Sequence, residues 1–175
     1  MQRYLAGFSG ASGSGKTTLI ERLVVLMRGR GLRVSVIKHA HHGVDIDREG
    51  KDSWRHREAG ACEVLLASPR LLALQRASQV DVAYSVGELV RMLQPVDWIL
   101  VEGYRGAPVP RIEVWRSAVT PPPLDLDARV VAVACGDPEQ LPDGCRVPCL
   151  DLNLPETVAD WLLAHRDRFV LADDR

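Results

Sequence analysis

A chain of 175 residues, 46% of them apolar, is long enough for one well-buried α/β domain and too short for two of ordinary size. Its formal charge of −1 gives no bulk attraction for nucleic acid or an acidic membrane, and no apolar run approaches the roughly 20 residues that span a bilayer. A first strand within a few residues of Met1 leaves no room for a signal peptide, so a cytoplasmic location is the expectation.

Tyr4-Leu-Ala-Gly-Phe8 reads as a short apolar strand, and Gly10-Ala-Ser-Gly-Ser-Gly-Lys16-Thr17 then fits G-x-x-x-x-G-K-[ST] without a gap. Such a loop holds phosphates. Its glycines permit backbone angles that side chains block, so successive N–H groups can turn inward around an anion. Gly10, Ala11, Ser12, Gly13, Ser14, Gly15, Lys16, Thr17 and Thr18 are therefore the expected nucleotide-binding residues. Lys16 supplies charge for the β and γ phosphates, and the Thr17 hydroxyl is a ligand for the accompanying Mg²⁺. Leu19, Ile20, Leu23, Val24 and Met27 follow at helical spacing, up to the glycines of Arg28-Gly-Arg-Gly31. The start of that helix points its partial positive charge at the anion.

Arg33-Val-Ser-Val-Ile37 reads as the second strand, ending at Lys38-His39. The stretch from Ala40 to Gly60 is polar and loop-like, with a candidate helical turn over Trp54 to Ala59. In it, Asp45 and Asp47 alternate about Ile46 and face one way if extended, so either can position an attacking water or reach Mg²⁺ through one. A solvated acidic loop is the competing reading. His39, His41 and His42 have the spacing of a metal site on an extended chain, although no cysteine is near. Arg55 and Arg57 concentrate positive charge for a phosphate or a partner's acidic surface, or are an ordinary charged helix face.

Glu63-Val-Leu-Leu-Ala67 and Leu71-Leu-Ala-Leu-Gln75, split by Ser68-Pro69-Arg70, read as a hairpin or two neighbouring strands. Val86 to Leu93 has a short-helix pattern, and Trp98-Ile-Leu-Val101, Ile112-Glu-Val-Trp115 and Val130-Val-Ala-Val-Ala134 read as strands. Asp97 and Glu102 stand at opposite ends of one of these, about 16 Å apart at strand rise. Ligands of parallel sheets bind beyond the carboxyl ends, so Glu102 is the expected Mg²⁺-side carboxylate and Asp97 a cap at the strand entrance. Thr120-Pro-Pro-Pro123 must be a loop.

Asp137, after a late strand, can accept from guanine N1 and N2, or simply form the Gly-Asp-Pro turn. The guanine-reading N-K-x-D is absent, since the only asparagine is Asn153, read as the cap of the last helix with Glu156 three residues on. Of the four cysteines, Cys62, Cys135, Cys145 and Cys149, none forms a C-x-x-C pair. Cys135 reads as a core residue, and Cys145 and Cys149 could reach one another or a metal, with packing the simpler account. Lysine occurs only at positions 16, 38 and 51. Strands alternating with amphipathic helices predict an α/β P-loop NTPase, a three-layer sandwich with a mostly parallel central sheet. A single domain over 1–175 is expected, with 41–84 a candidate dimerisation or switch insertion.

Gly10 to Thr18, Lys38-His-x-His-His with Asp45 and Asp47, Lys51-Asp-Ser-x-Arg-x-Arg-Glu-Ala-Gly60 and Leu100-Val-Glu-Gly103-Tyr together resemble the molybdopterin-guanine dinucleotide biosynthesis protein B family. The resemblance covers nearly the whole domain. It implies a GTP-binding protein with weak intrinsic hydrolysis, usually a homodimer, that assists the guanylyltransferase joining GMP to molybdopterin, with molybdopterin a candidate second ligand. By the same resemblance the P-loop would bind GTP phosphates, Thr17 and Glu102 would serve Mg²⁺, Asp47 would orient water, and Arg55 and Arg57 would contribute an anion site or interface. A metallochaperone GTPase using the histidines and a small-molecule kinase remain the alternatives.

Overall fold

Strands rich in Val, Ile and Leu, buried on both faces, pair in parallel when helices cover those faces. That is what the computed structural model contains. It describes residues 2–40, 46–78, 80–119, 126–142 and 145–172. Two units divide it, one of Met1–His39 with Ser85–Arg175 and one of Ala40–Tyr84.

The first unit holds β1 (Tyr4–Ser9), α1 (Lys16–Gly29), β2 (Val34–Lys38), α3 (Val86–Met92), β5 (Trp98–Glu102), β6 (Arg111–Trp115), β7 (Val130–Cys135), β8 (Cys149–Asp151) and α4 (Pro155–Ala164). Its six strands pair in the order β2-β5-β1-β6-β7-β8, all parallel. On one face Leu19, Leu23 and Met27 of α1 and Val158 and Leu162 of α4 pack on Phe8, Leu100, Ile112 and Ala134. On the other, Val86 and Val90 of α3 pack on Leu5, Ile37, Ile99 and Val101. These are the expected three layers. Ser85 caps α3 through a full capping box with Glu88, whereas no side chain caps α1.

The second unit carries α2 (Asp52–Glu58) and an antiparallel hairpin of β3 (Glu63–Ala67) and β4 (Leu72–Arg76), with Leu65 opposite Leu74. Ser68 Oγ accepts from Leu71 N at 3.0 Å and closes the turn, and Arg76 Nε pairs with Glu63 Oε1 at 2.5 Å. The helical turn expected over Trp54 to Ala59 is thus a helix beginning two residues earlier.

One expectation is corrected. Asn153 does not cap the last helix: α4 starts at Pro155, whose fixed φ and missing N–H suit a first helical position, and no side chain caps it. The Asn153 amide instead donates to Gly136 O at 2.9 Å. For Cys149 the simpler packing account holds: its sulfur meets Cys135 at 2.7 Å across β7 and β8, both as free thiols. The tract Thr120 to Pro123 lies outside the described residues.

Arg111 enters β6 with 1% of its surface exposed, and Asp127 Oδ2 accepts from its Nη2 at 2.7 Å. Its Nε and Nη1 have no partner among the described residues. The Arg111 hydrogen bond, with the Arg129 amide and both guanidinium charges, holds the Asp127 carboxyl below the usual carboxylate range. We expect Asp127→Asn to destabilise by somewhat less than the roughly 3–5 kcal/mol of a fully enclosed pair, because Asp127 is half exposed and solvent screens it. A depressed folded value contributes stability that is complete above the unfolded value of about 3.9 and is lost as pH falls through the folded one. Denaturant melts should therefore show the gap between wild type and variant closing below about pH 4; a gap constant with pH would remove the pair from the account.

Candidate functional site

The loop from Gly10 to Gly15 leaves β1 in contact with its neighbour β6. Gly10 has φ +142°, and a Cβ there would stand 2.2 Å from Val114 O, so only glycine allows the approach. Gly15 follows at φ +102° as the residue before α1. With no side-chain cap and no acidic residue in the first turn, the N–H groups of Lys16, Thr17 and Thr18 open α1 toward the loop. Ser14 is fully buried, and its Oγ has no partner among the described residues. Lys16 Nζ lies back along the loop, donating to Gly10 O at 2.9 Å and Ala11 O at 2.6 Å. Burial pulls its ammonium below the ordinary lysine value, Glu102 and Glu113 oppose that, and Lys38 adds to it.

Thr17 Oγ1 donates to Glu102 Oε1 at 2.8 Å, across from α1 to the carboxyl end of β5. Lys38, the last residue of β2, reaches the same oxygen with Nζ at 3.2 Å and Thr17 Oγ1 at 3.4 Å. Thr17, Glu102 and Lys38 form one cluster. A carboxylate and a hydroxyl side by side are two hard oxygen donors, a set that fits Mg²⁺ completed by phosphate and water. Asp97, at the other end of β5, accepts from Arg33 N at 2.7 Å and so closes the entrance to the strand, as expected.

Lys38 and Glu113 are the site residues that the sequence reading missed. Glu113 is 2% exposed in the middle of β6; Ser9 Oγ donates to its Oε2, and Arg105 Nη2 lies 3.3 Å from its Oε1. Ser9 is the last residue of β1, so this buried carboxylate fixes the strand end from which the loop departs. Beyond Glu102 the chain turns through Gly103, at φ +90°, and Tyr104, at φ +52°. Tyr104 stacks on His39 with centroids 4.4 Å apart.

The remaining candidates fall elsewhere. Asp137 accepts from Glu139 N with Oδ1 and from Gln140 Nε2 with Oδ2, the turn-forming role. Asp47 belongs to the second unit, where Ser53 Oγ and Arg48 N donate to its Oδ1 at 2.8 and 2.9 Å. Burial raises its pKa, but these bonds and Arg57 outweigh that and hold it below the ordinary value. Arg55 pairs loosely with Asp52 at 3.9 Å and Arg57 with Glu58 at 3.6 Å on α2. His41, His42 and Asp45 lie outside the described residues. Among the described residues no three His, Cys, Asp or Glu side chains come together as a metal site, and no helix is long and apolar enough to cross a membrane.

Comparison with known proteins adds to this geometry. A sequence model described as molybdopterin guanine dinucleotide synthesis protein B matches residues 5–136. A molybdopterin-guanine dinucleotide biosynthesis adapter protein of Haemophilus influenzae is 40% identical over 160 residues, 90% of this chain and 86% of that one. Its namesake in Escherichia coli is 35% identical, with 91% of each chain covered. Among solved structures, a molybdopterin-guanine biosynthesis protein B superposes with TM-score 0.68 at 28% identity, over 91% of this chain and 98% of the other. Bacillus subtilis MobB gives TM-score 0.72 at 24% identity over 95% and 98%, a likeness of fold.

The turn after Glu102 is a second constrained stretch of backbone. A Cβ on Gly103 would meet His39 Cβ at 2.9 Å, in a conformation side chains disfavour. Gly103→Ala should cost about 1–3 kcal/mol in chemical unfolding; an unmoved midpoint would show that the turn relaxes freely.

Proposed function

The chain belongs to the molybdopterin guanine dinucleotide synthesis protein B family, and we propose that it acts there as an adapter that binds GTP with Mg²⁺ on its P-loop. The observation that carries this reading is the Thr17–Glu102 contact at the open start of α1. The loop amides and Lys16 would hold the β and γ phosphates. Thr17 and Glu102 would hold Mg²⁺, which when bound neutralises phosphate charge. Lys38 stands beside both and adds a second ammonium at the terminal phosphate. Such a set grips a triphosphate without supplying a dedicated general base, in keeping with weak hydrolysis.

In this reading the adapter serves the guanylyltransferase that joins GMP to molybdopterin, with molybdopterin a second ligand, and Arg55 and Arg57 on α2 offer the cationic face for an anion or partner. It does so as a homodimer. The β3–β4 hairpin supports that part: Leu65, Leu71, Leu72 and Leu74 are each at least half exposed. A two-stranded sheet is marginal in water on its own, and a second copy of the chain would cover these leucines.

Calorimetric titration with GTP, ATP and molybdopterin, with and without Mg²⁺, tests the nucleotide reading. Lys16→Ala should lose about 2–3 kcal/mol of GTP binding, the size of lost charge-assisted bonds. Glu102→Gln should reduce Mg²⁺-dependent affinity more than Asp97→Asn, and turnover should lie far below the roughly 1–10³ s⁻¹ of ordinary enzymes. Equal GTP affinity in wild type and Lys16→Ala, or the reverse ranking of the two carboxylates, would sink the assignment. For the dimer, sedimentation of Leu72→Lys and Leu74→Lys should report monomers; an intact dimer would take the hairpin out of the interface.

A further inference from the structure

The site has two poles on either side of β1. Glu102 and Lys38 lie on the β5–β2 side, where a metal and the terminal phosphate would sit. A nucleoside triphosphate seated on the loop must then carry its sugar and base toward β6, β7 and β8. What stands there is a small polar group joined to the loop itself. Arg116, just past β6, donates from Nε to Ser14 O at 3.1 Å. A Cβ on Gly15 would lie 3.7 Å from its Nη2, and one on Gly136 would lie 3.7 Å from its Nη1. Arg116 thus spans from the P-loop to the end of β7.

Asn153 follows β8 and is tied into the same group. Its backbone N–H donates to Asp151 Oδ1 at 2.7 Å, and its Nδ2 donates to Gly136 O at 2.9 Å. A carbonyl can only accept, so this bond determines which end of the amide faces Gly136. Oδ1 is the other end of this exposed side chain and accepts no hydrogen bond among the described residues. A fixed acceptor suits the donor edge of guanine, whose N1–H and N2–H₂ both donate, better than that of adenine, which offers only its N6 amine beside an accepting N1. Asp137 is poorly placed for the same work, because both its oxygens are engaged in its own turn.

We propose that Asn153, held by its amide on Gly136, is the base-reading residue of this site, its Oδ1 accepting from guanine, while Arg116, braced on the P-loop, covers the phosphate next to the ribose. This rests on the triphosphate reading above and deepens it: the two conserve different halves of one ligand, and they fail separately.

The test compares GTP, ITP, ATP and inorganic tripolyphosphate, all with Mg²⁺, on the full chain. ITP lacks only the N2 amine, so wild type should bind it about tenfold more weakly than GTP, the factor for one lost hydrogen bond. Asn153→Ala should lose about tenfold for GTP, bring GTP and ITP level, and leave tripolyphosphate unchanged. Arg116→Ala should weaken GTP and ATP by one common factor. Equal GTP and ITP affinity in wild type overturns the proposal whatever the variants do. So does an Asn153→Ala protein that keeps the wild-type GTP preference, or one that loses tripolyphosphate together with GTP. If instead Lys16→Ala leaves tripolyphosphate binding intact, the parent reading fails.

Discussion

The parallel register of β2, β5 and β1 is the constraint on which the site depends. It sets Lys38, Glu102 and Phe8 in one row across the sheet. Three strands thereby finish at one level where the chain leaves β1 for the loop. Side chains alternate between faces, so a slip of one residue in β5 would send Glu102 to the opposite face and away from Thr17. The slip is opposed by burial. Trp98, Ile99, Leu100 and Val101 are each no more than 1% exposed and divide between the two packed faces, and Trp98 stacks on Tyr4 with centroids 5.0 Å apart. Moving any of them across the sheet would exchange filled space for voids and clashes. A polar contact at the rim is positioned by apolar packing beneath it.

Electrostatics at that rim follow from the same arrangement. Glu102 and Glu113 are both nearly enclosed, and a buried carboxylate without partners costs several kcal/mol. Each has cations to answer it: Lys38 beside Glu102, Arg105 beside Glu113, and Lys16 within reach of the fields of both. Lys16, Lys38 and Arg105 thus surround these two acids and leave neither carboxylate without a cation near it. Those cations, together with the open first turn of α1, are the features on which the proposed phosphate site rests.

The P-loop and its strand and helix were legible because their signals are local: fixed spacing, glycines at forced angles, and apolar residues at helical period. The strand-end logic that singled out Glu102 over Asp97 was equally legible, since it needs only strand direction. Glu113 was not. Arg-Ile-Glu-Val-Trp alternates polar and apolar like a strand with one wet face, yet that face is covered, and only the fold reveals that Ser9 and Arg105 meet the carboxylate. Asn153 was misread for a related reason. A polar residue before Pro-Glu looks like a helix cap, but its real partner, Gly136, lies on another strand loop far along the chain. The three-residue β8, hemmed in by Pro148 and the following turn, is too short to show a period at all.

The scarcity of lysine has a practical side. Only positions 16, 38 and 51 carry that side chain, and two of the three flank Thr17 and Glu102. Amine-directed chemistry, which on most proteins scatters over the surface, would here be concentrated at one end of the sheet. A reactive aldehyde or activated ester carried on an anionic tail could mark this edge of the molecule covalently, without an engineered handle.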